Sequence, residues 1–150
     1  MKNTKDILKI ILADDDQDDR DFFKDAISDI EIDCFLEFCE NGIALIDRLN
    51  DLVQPVPDIV FLDLNMPMLS GLDTLEKIRK DSKFSRIPII AIYSTSSDQK
   101  DRDRSLLSGA DAYITKPSDF GFLKELLRKI FDMDWEQFKK EKTQATFVIN

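Results

Sequence analysis

Residues Pro57–Gly71 read PDIVFLDLNMPMLSG, and this stretch decides the fold. Its apolar run ends in a carboxylate, Asp63, and the chain then breaks at Met66-Pro67. A short apolar run bounded by turn signals is typical of a strand that is buried on both faces of a parallel sheet. Sheets of this kind bind their ligands in a crevice beyond the carboxyl ends of the strands. We therefore predict that Asp63 ends a buried strand and faces such a crevice.

Two distant apolar runs also end in charged residues. One closes on the acidic triplet Asp14-Asp15-Asp16 and the other on Lys116-Pro117. Five short apolar runs alternate with five amphipathic segments, which predicts βαβ units around a parallel sheet. The predicted strands are Ile7–Ala13, Cys34–Cys39, Ile59–Asp63, Ile87–Tyr93 and Ala112–Thr115. The predicted helices are Asp18–Ile30, a second after Asn41-Gly42, a third after Gly71, a fourth capped by Ser97 and stopped by Gly109, and Phe120–Phe131.

The residues at these strand ends form a candidate site for phosphoryl chemistry. Parallel strands end at one edge of the sheet, so Asp14–Asp16, Asp63, Ser94 and Lys116 can meet there. Clustered carboxylates repel one another in a partly buried pocket, and a hard divalent cation such as Mg²⁺ relieves this repulsion. A carboxylate can also act as a covalent nucleophile toward phosphorus. The pattern favours attack by Asp63, although an Asp triplet before a helix is by itself more commonly an N-cap with favourable charge in the first turn.

Length and composition indicate one domain and exclude several functions. A chain of 150 residues can build a single core, and no apolar run approaches the ~20 residues that a membrane span requires. The net charge of −9 argues against nucleic-acid binding. Cys34 and Cys39 would point to opposite faces of a strand, which indicates reduced thiols in a cytoplasmic protein. The chain has no histidine, so a partner must supply any histidine chemistry.

Together these motifs resemble the receiver domain of bacterial response regulators, from about Lys9 to Phe131. The resemblance implies an α/β, flavodoxin-like, doubly wound sheet of five parallel strands in the order 2-1-3-4-5 with five helices. It also implies a stand-alone receiver. Residues 1–131 would form the receiver domain and residues 132–150 a C-terminal extension, with no separate output domain.

The resemblance assigns a role to each acid of the site. Asp63 would be the phosphoacceptor and a ligand of Mg²⁺, and Asp15 would be a direct ligand. Asp14 would act on the metal through a bound water. Asn65 would complete the metal shell with its backbone carbonyl.

The resemblance also assigns a cation and a switch. Lys116 would be the cation beside the phosphoryl group, joined to Pro117 by a cis peptide bond. Ser94 would be the hydroxyl that bonds a phosphoryl oxygen, with Thr95 at the small-residue position after it. Tyr113 would be the aromatic switch of the fifth strand.

Two features depart from the family pattern. Pro88 commonly stands five residues before the switch hydroxyl, which would point to Tyr93, whereas the interval back from Lys116 points to Ser94. We favour Ser94 because tyrosine cannot replace a short hydroxyl there. The interval between Asp15 and Asp63 is also longer than in compact members, and we place the extra residues in the Gln54–Pro57 loop.

The implied function is a phosphorylation-controlled signalling module and not an enzyme. A sensor histidine kinase or a histidine phosphotransfer protein would supply the phosphoryl group, and a downstream protein would read the result, with no membrane or nucleic acid involved. A phosphatase of the haloacid dehalogenase type is an alternative, but it needs an acid where this chain has Asn65. A nucleotide-binding or flavodoxin-like domain would need clustered glycines, and the chain has only 4, all separate. A receiver that signals without phosphate is disfavoured because the acids, hydroxyl and lysine are all present.

We expect the signal to leave through the face of the fourth helix, the fifth strand and the last helix, because Ser94 and Tyr113 lie beneath it. The extension contains apolar residues that are unusual for a disordered end. They are Trp135, Phe138 and Phe147-Val148-Ile149. We therefore expect the extension to dock against the domain or a partner.

Overall fold

The computed structural model describes residues 7–85, 87–144 and 146–150, which form one parallel sheet with helices on both faces. The strands are β1 (Leu8–Ala13), β2 (Cys34–Cys39), β3 (Ile59–Leu62), β4 (Ile89–Ser94), β5 (Ala112–Thr115) and β6 (Val148–Ile149). The helices are α1 (Gln17–Asp29), α2 (Gly42–Asn50), α3 (Gly71–Lys80), α4 (Gln99–Leu107), α5 (Phe120–Asp132) and α6 (Trp135–Glu141), with a short 3-10 turn at Ser82–Phe84. The strand order is β2-β1-β3-β4-β5-β6, so the predicted order is confirmed and a short sixth strand extends it.

The central strands are apolar because both of their faces are covered. All four residues of β3 are buried, as the uninterrupted apolar run predicted. Two hydrophobic clusters lie on opposite faces of the sheet, one under α2 and α3 and the other under α1 and α5. Each large apolar side chain buried in this way contributes roughly 1.5–3 kcal/mol. This core holds the strand ends in fixed register.

Most of the predicted boundaries differ from the structure by a few residues at most. The cap of α4 is Asp98 and not the predicted Ser97, because the Asp98 carboxylate accepts the backbone N–H of Lys100 at 3.0 Å. Gly109 ends this helix with φ of +102°, a conformation that favours glycine. Among the described residues no peptide bond is cis, so the cis bond predicted before Pro117 was wrong.

The C-terminal extension docks against the domain, as expected. Strand β6 pairs with β5 in parallel, and the Phe147 carbonyl accepts the backbone N–H of Tyr113 at 3.0 Å. The Phe147 side chain is fully buried with its ring centroid 6.2 Å from that of Tyr113. On the other face of the sheet, Trp135 donates from its indole to the Ile130 carbonyl at 3.0 Å. The extension therefore covers β5, which would otherwise be the edge strand of the sheet.

The two cysteines are reduced, as the sequence predicted. Cys34 and Cys39 lie at the two ends of β2 and are free thiols. Burial raises the pKa of the Cys39 thiol to about 11, so this thiol is protonated and unreactive at neutral pH.

Within the described ranges, no helix combines the length and the apolar character that crossing a membrane requires.

Candidate functional site

The backbone brings three strand ends to one edge of the sheet. Asp14, Asp63 and Lys116 each follow the last residue of a strand and donate a backbone N–H to a neighbouring strand end. The acceptors are the carbonyls of Cys39 at 2.9 Å, Ala13 at 2.9 Å and Ser94 at 2.8 Å, respectively. These bonds continue the sheet ladder by one residue. The charged side chains thereby converge, as the sequence predicted.

Three carboxylates form an acidic cluster. One oxygen from each of Asp14, Asp15 and Asp63 lies within 4.8 Å of the others. Asp14 and Asp63 are buried, whereas Asp15 is exposed. Oxygen donors at this spacing, open to solvent on one side, suit a hard divalent cation that keeps several waters. The residues present therefore fit the cation that the sequence implied.

Burial makes the charge on Asp14 costly. Loss of water raises the pKa of its carboxyl from 3.8 to about 6, although the Lys116 ammonium and the backbone N–H of Asp16 favour the ionised form. The nearby negative charge of Asp63 contributes to this rise in the Asp14 pKa. A divalent cation beside Asp14 would oppose this shift, because a positive charge stabilises the carboxylate.

The Lys116 ammonium neutralises the same cluster. Its Nζ lies 2.7 Å from Asp14 Oδ2, 2.8 Å from Asp19 Oδ2 and 3.0 Å from Asp63 Oδ2. Burial alone would lower the pKa of Lys116, but its attraction to the carboxylates of Asp14, Asp19 and Asp63 outweighs the burial and holds that pKa above its ordinary value. Lys116 is therefore a permanent cation beside the Asp63 carboxylate.

Sequence reasoning missed two residues that surround the cluster. Asp19 contacts Lys116, and the buried Arg20 donates from Nη1 to the Asp14 carbonyl at 2.7 Å. The signal for Asp19 was its place in the first turn of α1, four residues after Asp15. Asp16, the third acid of the triplet, is the N-cap of α1 and accepts the Asp19 N–H at 3.1 Å. The N-cap interpretation is thus correct for Asp16.

The loop after β3 stays close to Asp63. The backbone N–H of Asn65 donates to Asp63 Oδ1 at 3.3 Å, and the Asn65 side chain is exposed. Gly71 begins α3 directly beside this loop, where a Cβ atom would lie only 2.1 Å from the Asp63 carbonyl oxygen. Any side chain at Gly71 would therefore displace the backbone that carries Asp63.

The structure distinguishes Tyr93 from Ser94. The Tyr93 ring is buried and packs edge-on against Phe23, with ring centroids 5.5 Å apart, so it belongs to the core. Ser94 is the buried last residue of β4, and its hydroxyl accepts the Ser96 N–H at 3.2 Å. This arrangement favours the choice of Ser94 as the hydroxyl of the site.

A short path connects Ser94 to Tyr113. The Tyr113 hydroxyl donates to the Ser96 carbonyl at 2.7 Å, so Ser96 bonds both side chains. The Tyr113 side chain is buried, facing inward. Thr95 is exposed between the two serines. Ser94 and Tyr113 are thus linked through Ser96, and the Ser94 carbonyl accepts the backbone N–H of Lys116 at 2.8 Å.

Comparison with known families identifies the class. Residues 10–128 match the response regulator receiver domain, so the chain belongs to this family. The site is the acidic pocket of a receiver, and the family implies phosphoacceptor signalling. The assignment confirms the prediction of a two-component signalling module rather than an enzyme.

Particular relatives agree with this class. Chemotaxis protein CheY1 of Helicobacter pylori is 32% identical over 123 residues, which cover 82% of this chain and 96% of CheY1. The sensor histidine kinase CheAY of the same organism is 28% identical over 136 residues, which are 91% of this chain but only 16% of CheAY.

Solved structures share the fold. The Mn²⁺-bound form of response regulator Rcp1 has a TM-score of 0.76 at 22% identity and covers 84% of this chain and 96% of its own. The response regulator RPA3017 of R. palustris, from red light signalling, has a TM-score of 0.77 at 25% identity and covers 86% of this chain and 96% of its own.

Proposed function

We propose that this protein accepts a phosphoryl group on Asp63 and signals through protein contacts. The single observation that carries the proposal is the convergence of Lys116 Nζ, 3.0 Å from Asp63 Oδ2, with the carboxylates of Asp14 and Asp15. Asp63 attacks phosphorus, while Lys116 neutralises charge on the transferred oxygens. Because the chain has no histidine, the phosphoryl group comes from a partner, a sensor histidine kinase or a histidine phosphotransfer protein.

The test is intact-mass measurement after incubation with acetyl phosphate and Mg²⁺. We expect a gain of one phosphoryl group that is lost on standing, because an acyl phosphate hydrolyses. The absence of any gain, in protein shown to be folded by circular dichroism, would refute the proposal.

The cation of the acidic cluster is proposed to be Mg²⁺. When bound, it supplies positive charge that stabilises the transferred oxygens. Asp15 is its direct ligand, since its carboxylate is exposed at the mouth of the cluster, and Asp14 supports it through a water. The backbone carbonyl of Asn65 is proposed as a further ligand because the loop lies against Asp63.

We expect Asp15→Ala to weaken Mg²⁺ binding by about tenfold or more, because the change removes a ligand and a negative charge together. Calorimetric titration measures this. Asp18→Ala is the control, since it removes an equal charge from an exposed position on α1. Equal Mg²⁺ affinity in the Asp15 and Asp18 variants would show that Asp15 is not a ligand of the metal.

The switch is proposed to consist of Ser94, Thr95 and Tyr113. The Ser94 hydroxyl bonds a phosphoryl oxygen after transfer and then releases the Ser96 N–H that it now accepts. Since Ser96 also bonds the Tyr113 hydroxyl, the change reaches β5. The output face is made by α4, β5 and α5.

Ser94→Ala should still accept a phosphoryl group but lose most of the response at Tyr113. Nuclear magnetic resonance with beryllofluoride as the phosphoryl mimic measures that response as shift changes around Tyr113. Ser97→Ala, which deletes an exposed hydroxyl nearby, should respond like the wild type. Shift changes of wild-type size in Ser94→Ala would contradict the coupling.

The domain limits and the cellular location are proposed with this function. Residues 1–131 are assigned as the receiver domain and residues 132–150 as its extension, which packs on the β5 edge. Receiver domains partner with histidine kinases, and a cytoplasmic location suits such partners and the free thiols of Cys34 and Cys39.

A further inference from the structure

A fourth carboxylate, Asp19, reaches the candidate site from α1. The Lys116 ammonium has three N–H donors. Three carboxylate oxygens surround it, from Asp14 at 2.7 Å, Asp19 at 2.8 Å and Asp63 at 3.0 Å. The ammonium donates hydrogen bonds to Asp19 and Asp63, whereas Asp14 Oδ2 is an ion-pair partner that accepts no hydrogen bond among the described residues. A new acceptor at Lys116 therefore competes with the carboxylates of Asp19 and Asp63 for the ammonium.

Asp19 differs from the other two carboxylates around Lys116 in burial and in its neighbours. Its side chain is 36% exposed, whereas those of Asp14 and Asp63 are 0% and 8% exposed. It lies outside the acidic cluster of Asp14, Asp15 and Asp63. The Asp16 cap fixes its backbone by accepting its N–H. Asp19 thus holds Lys116 from the solvent side.

We propose, building on the proposed function, that Asp19 is a positioning residue that restrains Lys116 in the unphosphorylated protein and slows phosphoryl transfer. In transfer from acetyl phosphate, an oxygen of Asp63 forms a bond to phosphorus, the bond from phosphorus to the acetyl oxygen breaks, and acetate leaves with the electron pair. The oxygens on phosphorus need a donor from Lys116. Asp19 yields that donor most readily because water can solvate its freed carboxylate.

The charge of Asp19 acts in the same direction as its hydrogen bond. The phosphoryl donor is an anion, and a carboxylate on the solvent side of Lys116 repels it. Salt screens this repulsion because Asp19 is partly exposed. The restraint should therefore be strongest at low ionic strength. A purely structural role for Asp19 would not depend on salt in this way.

The test compares the rate constant of phosphorylation by acetyl phosphate, followed by intact mass, at low and high ionic strength. Asp19→Asn should react roughly threefold to tenfold faster than wild type at low ionic strength, with a smaller gain at high ionic strength. Asp19→Glu, which keeps the charge, should stay near the wild-type rate. Asp18→Asn is the matched control, because Asp18 carries the same charge on α1 but is not an acceptor of Lys116.

A second measurement does not depend on phosphorylation. The resonances of the Lys116 side chain in the unphosphorylated protein should shift in Asp19→Asn and stay in place in Asp18→Asn. If Asp19→Asn matches Asp18→Asn in both rate and resonances, the role of Asp19 is overturned. If wild type takes up no phosphoryl group at all, the proposed function fails instead, and the resonances alone decide whether Asp19 holds Lys116.

Discussion

Asp63→Asn should abolish phosphorylation completely. The amide has the shape of the carboxylate but lacks the nucleophilic oxygen anion that forms the bond to phosphorus. The fold should persist, because the variant would keep the backbone bond to Ala13 and would relieve repulsion within the acidic cluster. Intact mass after incubation with acetyl phosphate and Mg²⁺ should show the added phosphoryl group in the wild type and none in the variant.

The control for this experiment is Asp73→Asn, which makes the same chemical change at an exposed acid in the first turn of α3. It should be labelled like the wild type. Labelling of Asp63→Asn to the wild-type extent would show that another residue accepts the phosphoryl group. The assignment of Asp63 as the phosphoacceptor would then be wrong, even if the fold is as described.

The sequence predicted the sheet and the meeting of its strand ends because these follow from periodicity and from one general rule of parallel sheets. The uninterrupted apolar run before Asp63 indicated a strand that is buried on both faces, and the alternation of strands and helices indicated its parallel direction. The acids of β1 and β3 and the lysine after β5 then had to share an edge. For this reason Asp14, Asp63 and Lys116 lie together as predicted.

Side-chain partners within the site could not be predicted in the same way. Asp19 and Asp16 are both acids at the start of α1, and composition does not distinguish a helix cap from a partner of Lys116. Only the relative positions of α1 and β5 decide that Asp16 accepts a backbone N–H and that Asp19 accepts a hydrogen bond from the Lys116 ammonium. The same limit applies to the cap of α4, where Ser97 and Asp98 are adjacent and both are good caps.

The extension shows a third limit. Its apolar residues predicted docking, but pairing with β5 depends on an edge that exists only in the folded sheet. The two residues of β6 are too few to give a strand period. Phe147 is one of the apolar residues that predicted docking, but only the burial of its ring beside Tyr113 shows that it anchors the extension.

Phe147→Ala should be the most destabilising change in the extension. Its side chain is fully buried against Tyr113, and replacement of such a phenylalanine by alanine costs about 3–5 kcal/mol of the free energy of unfolding. That is a large share of the roughly 5–15 kcal/mol that stabilises a typical domain. Thermal unfolding followed by circular dichroism should show a melting temperature lower by roughly 10 °C.

Phe35→Ala provides the comparison for this loss, because it removes the same atoms from a side chain that is 61% exposed on β2. It should change the melting temperature little. Removal of all residues after Asp132 should be at least as destabilising as Phe147→Ala and should promote self-association, since it bares the edge of β5. If both the truncated protein and Phe147→Ala melted like the wild type, without self-association, the extension would be a passive appendage and its contact with Tyr113 would carry no stability.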